Sequence, residues 1–245
     1  MGAEATIPDS GLARLDQGLR REVKYVFTNQ DVAALRTVLM QSCRTIAYAG
    51  PVSTVRSLYF DDQALNACRA SIDGTGVRHK TRIRWYDAEL PTDHLYFEVK
   101  WRRYRFCGKD RLRVPCPSGL GGGPLRTIRQ HLRDRLPDRY THILATESDP
   151  VVLVEYRREH FELASGEARL TLDYDLRFCP HMGARRISSR FPDRLAGLVL
   201  IECKAEVDDG PGLAALHRVL RTLSVRPARF SKYVTACERL GYATQ

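Results

Sequence analysis

Six lysines stand out in a chain that otherwise uses arginine for positive charge: 33 of its 39 basic residues are Arg. Each lysine falls in a short strand-like or helix-start motif. Lys24, Lys100 and Lys204 sit in Glu22-x-Lys24, Glu98-x-Lys100 and Glu202-x-Lys204. Lys80 begins Lys80-x-Arg82-x-Arg84, Lys109 begins Lys109-x-Arg111-x-Arg113, and Lys232 lies in Ser231-Lys232-Tyr233. An ammonium is a compact point charge on a flexible stem, whereas a guanidinium is a planar fork that grips two oxygens at once. A set that combines both suits anions rich in oxygen, above all phosphates.

On a strand, residues i and i+2 share a face. Glu98 and Lys100 therefore oppose Phe97, Val99 and Trp101. Glu202 and Lys204 oppose Val199, Ile201 and Cys203, and Lys80, Arg82 and Arg84 oppose Ile83 and Trp85. Two arrangements satisfy this pattern. The charges can face water on an ordinary sandwich. Alternatively, they line a central channel while the apolar faces carry helices outside. In the second case Lys24, Lys80, Arg82, Arg84, Lys100, Lys109, Arg111, Arg158, Arg169, Lys204 and Lys232 point inward, against Glu22, Glu98, Asp173 and Glu202. An excess of seven positive charges cannot be dry and unpaired, because an isolated ion in a low-dielectric interior costs several kcal/mol. Such a channel is wet, or it holds a slender anion such as a phosphate chain. Nucleic acid would need stacking aromatics exposed on the basic face. Most aromatics are expected on the opposite one, so no nucleic-acid partner is expected.

Eight segments supply these faces: 21–27, 55–61, 79–86, 95–101, 110–114, 151–161, 168–173 and 198–206. Each shows period-two alternation or β-branched and aromatic enrichment. Eight antiparallel strands make a barrel wide enough for side chains or one narrow ligand. Helical spacing appears over Asp31–Gln41, around 125–136 after the GLGGGP break, over Pro211–Leu223, and from Lys232 to Leu240 before Gly241. The reading is α+β: a closed eight-stranded antiparallel barrel with helices packed outside, over residues 20–245, after a flexible leader at 1–19.

Bulk properties agree. A net charge of +10 favours polyanionic partners. The apolar runs are too short to span a bilayer, and residues 1–18 have no apolar core of a secretory signal. Seven cysteines without a C-x-x-C pair suit reduced thiols and a cytoplasmic setting. Asp61 and Asp62 are expected to start a turn or cap, and Tyr25, Tyr59, Trp85 and Trp101 to be packing aromatics. Glu22, Glu98 and Glu202 have an alternative role as partners of the lysines, and Asp173 one in a turn. Neither His79 nor His160 receives a role.

Taken in order, R-E-x-K-Y (21–25), R-S-L-Y-F-D (56–61), K-x-R-I-R-W-Y (80–86), F-E-V-K (97–100), K-x-R (109–111), Y-x-R-x-x-F (156–161), R-L-T-L-D (169–173), I-E-C-K (201–204) and F-S-K-Y (230–233) resemble the vacuolar transporter chaperone (VTC) domain. That domain is the polyphosphate polymerase branch of the triphosphate tunnel metalloenzyme (CYTH-like) superfamily. The resemblance implies a tunnel that binds ATP, triphosphate or polyphosphate with Mg²⁺ or Mn²⁺, and a phosphotransferase of the ATP:polyphosphate type. An inorganic triphosphatase or nucleoside triphosphate hydrolase, or a non-catalytic polyphosphate-binding module, is the alternative. It assigns Arg82, Arg84, Lys100, Arg158 and Lys232 to the reacting phosphates. Lys24, Lys109, Lys204, Tyr156 and Ser231 join them as phosphate ligands, beside Lys80, Arg111 and Arg169 from the strand pattern. Glu202 is the expected metal ligand, with Glu22 and Glu98 as further candidates. Arg20 stands where triphosphatases of the superfamily carry the first of two alternating glutamates, which favours the polymerase branch. The helical and membrane domains of eukaryotic members have no counterpart in the sequence.

Overall fold

In a computed structural model, residues 20–206, 214, 220 and 225–243 are described. Ten strands are described: β1 (Arg20–Thr28), β2 (Cys43–Ile46), β3 (Val52–Asp61), β4 (Val77–Tyr86), β5 (His94–Arg103), β6 (Phe106–Pro115), β7 (Asp149–Leu163), β8 (Ala168–Pro180), β9 (Asp193–Leu195) and β10 (Leu198–Glu206). Five helices are described, α1 (Val32–Met40), α2 (Asn66–Ile72), α3 (Leu125–Arg133), α4 (Asp138–Thr146) and α5 (Lys232–Arg239). All eight expected strands are present. β2 and β9, four and three residues long, are too short to show a period. The helix expected over Pro211–Leu223 lies outside the described residues, apart from Ala214 and the buried Leu220.

The sheet runs β1-β10-β8-β7-β3-β4-β5-β6, with β2 on β7 and β9 on β8. Every described pairing is antiparallel. The two end strands, β1 and β6, do not pair with each other, so the sheet is a half-barrel and the expected closed barrel is wrong. A local cause is visible at β1. Its outer edge is occupied by the segment before α5: the Ala228 amide donates to the Lys24 carbonyl (2.9 Å) and Lys24 Nζ to the Phe230 carbonyl (3.0 Å). The 227–230 segment thus occupies part of the β1 edge that β6 would need in order to close the barrel.

The second correction concerns the helices. α1 packs on one apolar face with Tyr25, Phe27, Leu170 and Ile201. α3 and α4 cover the same side over Ile83, Trp85, Phe97 and Leu112. In contrast, Tyr233, Ala236 and Cys237 of α5 pack with Cys68 of α2 on Tyr59, Val152, Val154, Tyr156 and Phe178. Tyr59 stands opposite Arg82 in the β3–β4 register, so α2 and α5 sit on the cation-bearing face. The sheet curls around them.

Side-chain hydrogen bonds cap α1, α2 and α5. Asp61, fully buried at the end of β3, accepts the amides of Ala67 (3.0 Å) and Cys68 (2.9 Å) and the Tyr233 hydroxyl (2.7 Å). Asp62 accepts the Asn66 amide (2.9 Å). The two aspartates thus act as the expected cap, holding orphan amides at the start of α2. Asp31 caps α1 through the Ala33 amide (2.9 Å), and Ser231 caps α5. Close approach also demands Gly108, where a Cβ would lie 2.3 Å from the Trp101 ring.

Candidate phosphate-binding site

The registers arrange the charged side chains in transverse rows. Lys80, Lys100 and Lys109 stand side by side on β4, β5 and β6. One row along lie Tyr59, Arg82, Glu98 and Arg111, and beyond them Ser57, Arg84, Tyr96 and Arg113. On the other wing, Arg158 faces Asp173, while Glu22 faces Lys204 and Lys24 faces Glu202 across β1 and β10. The wings meet in space. Lys100 Nζ donates to both Glu22 carboxylate oxygens (3.1 and 3.2 Å), joining strands that are not neighbours in the sheet. Lys80 Nζ donates to Ser231 Oγ (3.0 Å).

Three acids organise most of the cations. Glu98, 1% exposed, takes Arg82 through Nε (2.7 Å) and Nη2 (2.6 Å) at one oxygen. Arg84 lies 3.8 Å away, and Arg111 (3.4 Å) and Lys109 (3.9 Å) flank its other oxygen. Burial raises the Glu98 pKa, but these four cations overcome it and hold the carboxyl far below the usual range. Asp173, fully buried, forms a bidentate pair with Arg158 (2.6 and 2.7 Å) and accepts Lys232 Nζ (2.6 Å). Burial is likewise outweighed there by Arg158 and Lys232, and the Asp173 pKa is lowered. Glu202 pairs with Lys204 (3.0 Å) and lies well below its ordinary pKa, because Lys204, Lys24, Arg158 and Lys232 outweigh its burial.

The cations still outnumber the acids. Burial, then Lys100, Lys24 and Arg78, lowers Lys80 to about 8. Burial lowers Lys109 to about 8 as well; Glu98 opposes the shift, and Lys204, Arg82 and Arg84 add to it. Burial first, and neighbouring cations next, make both ammonium groups easier to deprotonate than an ordinary lysine. A bound polyanion would supply counter-charge.

The structure therefore brings together Lys24, Lys80, Arg82, Arg84, Lys100, Lys109, Arg111, Tyr156, Arg158, Lys204, Ser231 and Lys232. Arg84 donates to Ser57 Oγ (3.0 Å) and to the Tyr156 hydroxyl (3.2 Å), and Lys232 Nζ lies 4.5 Å from the centre of the Tyr156 ring. Arg169 is different. It shares the face but stands at its rim, with a side chain 67% exposed and Glu162 3.7 Å away.

The VTC domain model matches residues 19–240. The chain belongs to the VTC domain family. No curated protein matches the sequence. Among solved structures, the PH1819 protein of Pyrococcus horikoshii OT3 is similar at 13% identity, over 89% of this chain and 99% of that one, with a TM-score of 0.48. Two proteins described as "putative adenylate cyclase" are similar too. That of Vibrio parahaemolyticus has 13% identity, coverage of 90% and 97%, and a TM-score of 0.46. That of Bacillus halodurans has 12% identity, coverage of 87% and 93%, and a TM-score of 0.49.

The resemblance also implies a divalent cation, and this VTC domain can be tested for one. Burial and the charge of Glu202 push the Glu22 pKa up; Lys100, Lys24 and Lys204 bring it below its ordinary value. Two carboxylates close enough to repel are a setting that a hard cation relieves. Among the described residues no three His, Cys, Asp or Glu side chains gather at metal-binding spacing. Glu22 and Glu202 are the carboxylates that would hold Mg²⁺ or Mn²⁺, hard cations that prefer oxygen ligands. Glu98, the remaining candidate, is engaged by Arg82, Arg84, Arg111 and Lys109, and four cations likewise surround Glu202.

Tyr25, Tyr59 and Trp85 are buried packing rings, as expected, and Tyr59 has a second role. Tyr59 was expected to be a packing ring; it does stack on Tyr233 (4.8 Å), but its hydroxyl accepts Arg82 (2.7 Å) on the charged face. Burial raises the phenol's pKa, yet Arg82, Arg84 and Lys232 outweigh it and lower the value. Tyr86, Tyr96 and Tyr156 share that face. The alternation that grouped Lys80, Arg82 and Arg84 already places Tyr86 beside them, and Tyr96 beside Glu98. No helix of the VTC domain, among the described residues, is long and apolar enough to cross a membrane.

Proposed function

We propose that this VTC domain binds ATP and a polyphosphate chain on its concave face and transfers the terminal phosphoryl group from one to the other. The observation that carries the reading is the convergence of ten Lys and Arg side chains from both wings of the sheet and α5, with four acids among them. The bond between the γ-phosphorus and the β–γ bridging oxygen breaks, and its electron pair stays on the departing ADP. A new P–O bond forms to a terminal oxygen of the chain. That acceptor oxygen is already anionic, so no general base is required, and positioning with charge neutralisation supplies the rate. Arg82, Arg84 and Arg158, oriented by Glu98, Ser57 and Asp173, grip non-bridging oxygens. Lys100, Lys232 and Lys80 neutralise charge that shifts between donor and acceptor. Glu202, with Glu22, would hold the divalent cation, which supplies Lewis-acid neutralisation of phosphate oxygens when bound.

A triphosphatase would use the same groups with water as acceptor. Incubation with ATP and Mn²⁺, followed by gel separation, distinguishes the readings. Long chains support the polymerase; orthophosphate alone supports the hydrolase. Tripolyphosphate binding without turnover leaves a binding module, and no tripolyphosphate binding at all overturns the proposal.

A further inference from the structure

One end of the concave face is lined with rings. Tyr86 and Tyr96 meet edge to face at 6.0 Å, and His94 meets Tyr96 in the same way at 5.1 Å. The Arg111 guanidinium lies 3.6 Å from the centre of the Tyr96 ring and donates to the Tyr86 hydroxyl (3.2 Å). All four side chains are half-buried or exposed, and Tyr86 also packs against the core cluster that includes Tyr59 and Tyr233. Arg111 also flanks Glu98 (3.4 Å), so the ring cluster is continuous with the cations around that acid. His94 and Lys100 are six steps apart along β5, about 20 Å at the usual rise of a strand. The opposite end differs. There Arg78 stands beside Arg102, and Arg102 and Arg229 lower its pKa once burial has done so. Near that end Trp101 and Phe106 lie on the other face of the sheet by register. The face is therefore polarised, with rings and a stacked guanidinium at one end and, at the other, the Arg78–Arg102 pair, whose guanidiniums donate to the Thr75 and Tyr104 carbonyls.

We propose that the Tyr86–Tyr96–Arg111 cluster is the docking platform for the base of a nucleoside triphosphate, so that the phosphates run from it toward Lys80, Lys100 and Lys109. This rests on the phosphate-binding reading above and deepens it. Tyrosine rings and guanidinium planes stack on bases with about 1–3 kcal/mol per base. The Arg78–Arg102 end, whose ring is the exposed Tyr104 of the β5–β6 turn, is left to the growing phosphate chain.

The test compares ATP with inorganic tripolyphosphate by titration calorimetry on the full chain. For Tyr96→Ala the ratio of ATP affinity to tripolyphosphate affinity should fall about tenfold, the equivalent of one stacking contact. Tyr96→Phe keeps the ring and should keep the ratio. An unchanged ratio in Tyr96→Ala overturns the platform even where both ligands bind. A wild-type chain that binds neither ligand overturns the phosphate reading and the platform together. Should Tyr96→Ala fail to fold, the wild-type protein decides. 2-Aminopurine riboside triphosphate should lose fluorescence on binding, because stacking quenches it; undiminished emission from the bound ligand rejects the platform.

Discussion

Replacing Glu98 with Gln removes one negative charge from the most crowded point of the site while keeping its volume. Arg82 makes two contacts to one carboxylate oxygen, and Arg84, Arg111 and Lys109 stand within 3.9 Å of the group. With Glu98 1% exposed, solvent cannot replace the missing charge. Breaking a buried pair on one side costs about 3–5 kcal/mol. In a domain of this size, 1 kcal/mol moves the melting temperature by about 2–4 °C, so the loss should be about 6–20 °C. Tripolyphosphate should return much of it, since saturation at about a hundredfold over Kd contributes about 2.7 kcal/mol. Ligand should also raise the variant's melting temperature by more than the wild type's, because the freed guanidinium groups turn to phosphate. Thermal melts with and without tripolyphosphate read both effects. A variant that melts with the wild type, yet loses Mn²⁺-dependent turnover, would refute this reasoning and make Glu98 a metal ligand.

Other outcomes follow from the same geometry. Glu202→Gln should abolish metal-dependent turnover while tripolyphosphate binding persists; undiminished turnover would remove Glu202 from the metal site. Lys100→Met should weaken tripolyphosphate binding with little change in melting temperature, because its pair with Glu22 is solvent-exposed and such pairs are worth about 0–1 kcal/mol. Raising the pH through about 8 should weaken phosphate binding as Lys80 and Lys109 discharge. The sign reverses for folding: the unfolded chain keeps these protons to about 10.4, so it binds more protons than the fold between about 8 and 10.4, and these two groups make the ligand-free protein more stable as pH rises across that window. Both trends can be read from melts and titrations over pH 7–10. Gly108→Ala should destabilise by about 1–3 kcal/mol, since its new methyl meets the Trp101 ring; a melt unchanged from the wild type would show that the β5–β6 hairpin can adjust.

The strand pattern alone determined which residues share a face. Period-two geometry is local, and it sorted Lys80, Arg82 and Arg84 from Ile83 and Trp85, and Glu202 and Lys204 from Ile201 and Cys203, without knowledge of any partner strand. The capping role of Asp61 and Asp62 was legible for the same reason: a side chain bonding amides a few residues ahead is written into neighbouring positions. Tertiary structure decided what joins distant segments. Whether the sheet closes depends on what reaches the edge of β1, and the occupant, Ala228, is 204 residues beyond its acceptor Lys24. The placement of α5 against Tyr59 and Val152, and of Lys232 on Asp173, likewise depends on segments far apart in sequence. Local alternation gives each strand its two faces. Only the curl of the assembled sheet sets which face becomes concave, how the wings meet at Lys100 and Glu22, and that Asp173 is a buried anchor for two cations.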